Sequence, residues 1–201
     1  MKVPGVKYVA TTPPFLTDAI REFSRQLSAE EPQFLSVTPE PLAKLGRCYG
    51  NAESAAQGFG GAIVFGWIIW EMQGVYLVAE HHAVVEADGQ LIDVTPTIAG
   101  ETEVLFVPSP IEDIQSLPLP NQYVALGTHP HLVRFVELAR RKHELEMSGK
   151  AFRLEYMNYD RQMTRLLDEY LSQSTRIKES KSRRKIRKSE RQRKKQSRSR
   201  C

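Results

Sequence analysis

At 201 residues and 41% apolar, the chain is long enough to bury one core with appendages and too short for several. The most apolar run, residues 62–70, is far too short for a membrane span, and the first fifteen residues hold no continuous apolar block of the kind a secretion signal requires. The formal charge of +4 joins an acidic body at −8 to a tail over residues 176–200 at +12, with fourteen Lys and Arg against Glu179 and Glu190.

Taken in order, residues 6–10 read as a short strand and 11–14 as a turn. Leu16, Ile20, Phe23 and Leu27 recur at helical spacing, which predicts an amphipathic helix over 17–28. Glu30, Glu31, Pro32, Pro39 and Pro41 interrupt regular structure and predict an irregular lead-in that could line a cleft. A second helix is predicted over 48–57, where Ala52, Ala55 and Ala56 allow close packing on a sheet and Gly58 serves as C-cap. Residues 63–72 and 75–86 are dense in β-branched and aromatic side chains and flank a Gln73-Gly74 turn. Asp88-Gly89 is a strong two-residue hairpin signal, and residues 90–95 close a meander.

That hairpin fixes a register. With Asp88 and Gly89 as the turn, Ala87 pairs with Gln90 and Val84 with Asp93, so Asp93 lies diagonally beside His82 on one face while His81 points to the other. Cys48 opens its helix, where unpaired N–H groups and the positive end of the dipole favour a thiolate and can hold an oxyanion; Arg47 adds a cation. Cys48, His82 and Asp93 are thus a candidate nucleophile, base and orienting acid. The alternative for Cys48 is a buried structural thiol. Tyr49, Asn51, Trp67 and His81 are candidates for substrate or oxyanion contact, with a local cap for Asn51 and a sheet core for Trp67 and Trp70 as alternatives. Consecutive Glu80, His81 and His82 alternate across a strand and no Cys or His set has metal-ligand spacing, so no metal and no cofactor are expected. His129, His131 and His143 are scattered and read as structural or exposed. Only Cys48 and Cys201 are cysteines, which excludes a disulfide framework and suits a reducing cytoplasm.

Cys48-Tyr49-Gly50-Asn51 at a helix start, His82-Ala83-Val84-Val85-Glu86, Gly89, Asp93 and Thr95-Pro96-Thr97 together resemble the transglutaminase-like family of the papain-like superfamily. In that family a helix carrying Cys is followed by strands carrying His and Asp; here Val84 stands where the family has an aromatic residue, and Val94 separates Asp93 from the Thr-Pro pair. The resemblance implies an α+β papain-like core in which Cys48 is the nucleophile, His82 the general base and Asp93 the residue orienting the imidazole. It implies a peptide, amide or acyl substrate, and cysteine-dependent amide hydrolysis or acyl transfer. The superfamily spans thiol proteases, amidases, transglutaminases and arylamine acetyltransferases, so the resemblance does not choose among them.

The proline-rich stretch 96–128 predicts loops, with residues 104–107 a candidate strand. Helices are predicted over 130–141 and 150–171, the second repeating Leu154, Met157, Met163, Leu166, Leu167 and Tyr170. The chain therefore divides into an α+β domain over 1–130, a helical extension over 131–175 and a tail over 176–201. The tail has no aromatic residue and is expected to be disordered. Its Arg183, Arg184, Lys185, Arg187, Lys188, Arg193, Lys194 and Lys195 are candidates for contact with nucleic-acid phosphates or an acidic partner. They define a second class of function, a nucleic-acid-associated or protein-interaction module with an inert Cys-His-Asp set; a solubilising tail is the remaining alternative.

Overall fold

The computed structural model describes residues 10–109, 119–149 and 153–198. Among them are the helices α1 (Asp18–Leu27), α2 (Cys48–Phe59), α3 (Pro130–Met147) and α4 (Arg153–Arg198). The strands are β1 (Gln33–Ser36), β2 (Ala62–Met72), β3 (Tyr76–Ala87), β4 (Gln90–Ile92), β5 (Glu103–Pro108) and β6 (Gln122–Ala125). The fold is α+β, built on one antiparallel sheet in the order β1-β5-β2-β3-β4, with β6 paired to the first residues of β3.

The β-branched and aromatic runs of β2 and β3 pair along their whole length, from Ala62 with Glu86 to Met72 with Tyr76. Asp88 and Gly89 turn with φ of 51° and 74°, the left-handed pair that a tight hairpin between right-twisted strands needs, and Ala87 pairs with Gln90 as expected. The ladder stops at Ile92. The main chain of Asp93 turns to β1 instead: its N–H donates to Ser36 O at 3.1 Å, and its carbonyl accepts the Thr38 N–H at 2.8 Å. The two ends of the sheet meet there, so the sheet curls on itself.

Curling and alternation together make an inner and an outer face. Leu35, Ile68, Val84, Val104 and Phe106 pack on one another inside the curl. The outer face is covered by two helices: Ile20 and Phe23 of α1 lie over Trp67, Ile69, Leu77 and Leu105, and Ala52 and Ala55 of α2 lie over Ala83 and Val85. Leu132, Phe135 and Val136 of α3, with Leu167 of α4, close over Val75 and the partly buried Tyr76 and Tyr123. The helical extension is thereby joined to the sheet by a core of its own.

Several predicted bounds change for physical reasons. The helix over 17–28 is present as α1, with the Thr17 hydroxyl accepting the Ile20 N–H at 3.2 Å. The lead-in, expected to be irregular, contains β1, because Leu35 fills the inner core opposite β5, a non-local partner. Gly60, left-handed at φ 74°, caps α2 in place of Gly58. Of the strand predicted over 6–10, residues 6–9 lie outside the described residues, as does Cys201; Thr11 bridges Glu71 at the end of β2. The tail differs most: α4 stays helical to Arg198 where composition predicts disorder from residue 176. Residues 153–198 contain no Gly or Pro and are rich in Arg, Lys, Gln and Glu, all good helix formers, so nothing local stops a helix already started by packing against α3.

Gly66 in β2 lies directly across from His82. A Cβ there would collide with the Val107 carbonyl oxygen and the Phe106 ring, and the first of these is backbone that cannot swing aside. Gly66→Ala is expected to lower the free energy of unfolding by about 2–3 kcal/mol, measured by urea denaturation. An unchanged midpoint would contradict the close approach of β5 to β2.

Candidate active site

The outer edge of β3 is covered at both ends and open in the middle. β6 pairs with residues 76–79 and β4 with residues 85–87, which leaves residues 80–84 without a strand partner among the described residues on the side away from β2. The first turn of α2 arrives at this gap. Two adjacent helical residues there address two adjacent strand residues that face opposite ways. Tyr49 Oη hydrogen-bonds His81 Nδ1 at 2.9 Å on the outer face, and Cys48 lies beside His82, whose side chain belongs to the inner face. One turn of helix can reach both faces only at an open strand edge.

His82 Nε2 donates to Asp93 Oδ1 at 3.0 Å, which leaves Nδ1 for the free, half-buried Cys48. His82 and Asp93 are only 6% and 0% exposed, so their pairing takes place out of water. Asp93 Oδ1 also accepts the Thr95 N–H at 2.9 Å. Burial disfavours a charged imidazole, but the hydrogen bond with Asp93 and the nearness of that carboxylate and of Cys48 outweigh it and raise the His82 pKa to about 10. The ring therefore carries its proton at neutral pH. The predicted backbone pairing of Val84 with Asp93 does not form, since Asp93 belongs to the β1 bridge, yet the diagonal approach of its carboxylate to His82 does.

The remaining candidates take structural positions. Asn51 Nδ2 donates to Lys44 O at 2.8 Å and to Thr95 Oγ1 at 3.1 Å, while Asn51 Oδ1 accepts the Lys44 N–H at 3.0 Å. Its carboxamide clamps the lead-in loop to the chain just past Asp93 and is not free for substrate or an oxyanion. His81 packs edge-on to Trp67, with ring centroids 4.9 Å apart, and lies beside Phe65 and Tyr49. Burial and the neighbouring charge of His82 push the His81 pKa down to about 4, and burial pushes the Tyr49 hydroxyl up. Tyr49, His81 and Trp67 thus dock α2 on the outer face in place of the substrate contacts expected of them.

Trp70 is the tryptophan on the His82 side. The β2–β3 loop holds three residues, 73–75, where the sequence suggests a two-residue Gln73-Gly74 turn; Met72 pairs with Tyr76, not Val75. One extra loop residue moves every side chain of β2 to the other face relative to β3, which exchanges Trp67 for Trp70. The Trp70 indole N–H donates to Glu80 Oε2 at 3.1 Å and forms one wall of a cavity of about 270 Å³. Cys48, His82 and Asp93 line this cavity, together with Leu45 and Gly46 of the lead-in, Ile68 and the loop that follows Thr95. The signal for Thr95 was its place two residues after Asp93, where a backbone N–H can return to a carboxylate.

Among the described residues no group of three His, Cys, Asp or Glu could hold a metal ion, and no helix is long and apolar enough to cross a membrane. His131 and His143 pair with Glu169 and Glu146, and His129 caps α3. No protein-family model, curated protein or solved structure matches the chain. The geometry by itself places a thiol beside an imidazole that is hydrogen-bonded to a buried carboxyl group, all three facing a cavity.

The two histidines shape stability against pH in opposite ways. His82 has a raised folded-state pKa, so its contribution is complete below about pH 6.5 and is lost as pH rises toward 10. His81 has a lowered one, so the unfolded chain takes up its proton first and stability falls as pH drops from 6.5 toward 4. Ring NMR shifts are expected to titrate near pH 10 for His82 and near pH 4 for His81, and Asp93→Asn should bring the His82 value down. A wild-type His82 midpoint at the ordinary histidine value would contradict the ion pair.

Proposed function

We propose that the chain is a transglutaminase-like cysteine hydrolase or acyltransferase, with α2 and the sheet forming the papain-like core that its motifs resemble. The observation that carries this reading is His82, hydrogen-bonded to Asp93 on one side and sharing a cavity wall with Cys48 on the other. The reacting form carries the proton on His82 and the negative charge on sulfur. Cys48 attacks the acyl carbon of an amide or ester held in the cavity, and the carbonyl electron pair moves to oxygen. The N–H groups opening α2 have no side-chain cap and lie beside the sulfur, where they can donate to that oxyanion. Collapse of the intermediate breaks the bond to the leaving group, which takes the His82 proton, and a thioester remains on Cys48.

Water or an amine then attacks the thioester. His82, now neutral, accepts the proton from the incoming nucleophile, and the Cys48 thiolate departs. The imidazole acts first as an acid and then as a base, because it begins charged. Asp93 keeps Nε2 as its donor and so directs Nδ1 at the sulfur, while the Thr95 N–H holds the carboxylate.

With Cys201→Ser leaving Cys48 as the sole thiol, iodoacetamide labelling at pH 7 tests the assignment. The rate is expected to fall more than about tenfold in His82→Ala, much less in His81→Ala and to an intermediate extent in Asp93→Asn. Near-UV circular dichroism checks each variant for native packing. Equal rates in all of them would make Cys48 a structural thiol, and a greater loss from His81→Ala would assign the base to the wrong face.

A further inference from the structure

We propose that the last half of α4, residues 176–198, is a docking surface for the phosphate backbone of duplex DNA, separate from the cavity at Cys48. The helix is continuous to Arg198, so backbone register sorts its residues into faces. Arg184, Arg187, Lys188, Arg191, Lys194 and Lys195 follow one another at i, i+3, i+4, i+7, i+10 and i+11, the spacing of a single face. Glu179, Ser182, Ile186, Ser189 and Arg193 fall on the opposite side, and Glu190 flanks the cationic face, one turn from Arg187 and from Lys194. Lys185 and Arg193, basic by composition, fall outside the cationic face.

The chemistry of this face selects its partner. Insertion into a lipid interface calls for a continuous apolar stripe, and the segment has only Ile177 and Ile186, which lie on opposite sides. Single strands are held by stacking on aromatic rings, and the segment has none. Neutralisation of regularly spaced phosphates remains. At 1.5 Å per residue the segment is about 33 Å long, close to one turn of duplex DNA, and the major groove admits an α-helix. The rest of the chain, at −8, is repelled by DNA, so contact is confined to the helix.

The test is anisotropy of a labelled duplex of about 20 base pairs with the full chain, across about 0.05–0.2 M salt. Two triple variants remove the same charge: Arg187→Gln, Arg191→Gln and Lys194→Gln on the face, and Lys178→Gln, Lys185→Gln and Arg193→Gln off it. Glutamine is a good helix former, and far-UV circular dichroism verifies unchanged helix content. The face variant is expected to bind more than about tenfold more weakly, with a salt slope shallower by about three, while the off-face variant stays within about threefold of wild type. Equal losses in the two variants, or no binding by the wild-type chain at low salt, overturn the proposal. Tighter binding to phosphatidylserine vesicles than to the duplex overturns it in favour of a membrane. Salt-sensitive self-association without DNA binding overturns it in favour of the acidic body of a second copy.

Discussion

Asp93 is fully buried, and its main chain is the point at which the two ends of the sheet meet, so its carboxylate can reach His82 only while that closure holds. Four contacts converge on this one residue: Ser36 and Thr38 fix its backbone, the Thr95 N–H fixes one oxygen, and His82 takes the same oxygen. Oδ2 is buried with no hydrogen-bond partner among the described residues. A carboxylate so poorly supplied with neutral donors needs a positive neighbour, and His82 is that neighbour. Removing one member of such a buried pair typically costs about 3–5 kcal/mol, because the other is left charged and unpaired. Site and sheet closure are therefore one energetic unit.

The gap in the edge of β3 is the second constraint. If β4 and β6 met, α2 could cover only the outer face and its cysteine would touch His81 or nothing. Because they do not meet, Tyr49 anchors the helix to neutral His81 while Cys48 passes the edge to charged His82. Asn51, one turn further, ties the same helix to the lead-in loop and to Thr95. Two adjacent histidines thus carry opposite electrostatic characters for one reason: His82 faces a carboxylate and a thiol, and His81 faces aromatic rings and a hydroxyl.

Features set by near neighbours were legible in the sequence. Asp88-Gly89 dictates the hairpin, the hairpin dictates which histidine meets Asp93, and a small-residue run opening with Cys48 dictates a helix that can approach a sheet. Features set by distant partners were not. The β1 strand forms because β5 and Asp93 offer it backbone groups across more than fifty residues of chain, and nothing inside Gln33–Ser36 announces this. Trp67 and Trp70 exchange faces through one residue of loop length, which the Gln73-Gly74 pair does not specify. The helical course of the tail depends on α3 having already nucleated α4, a tertiary event that composition cannot carry.

The central claim is that Cys48 is a nucleophile whose reactivity depends on His82, and its most direct test is the covalent intermediate. The folded chain would be mixed with an aryl ester, quenched in acid and digested, and the peptide containing Cys48 analysed by mass spectrometry. The account predicts an acyl group on Cys48, released by hydroxylamine as a thioester is, and nearly absent from His82→Ala. Acylation of Cys48 to the same extent in His82→Ala or in the denatured chain, or none at all on the folded protein, would contradict it.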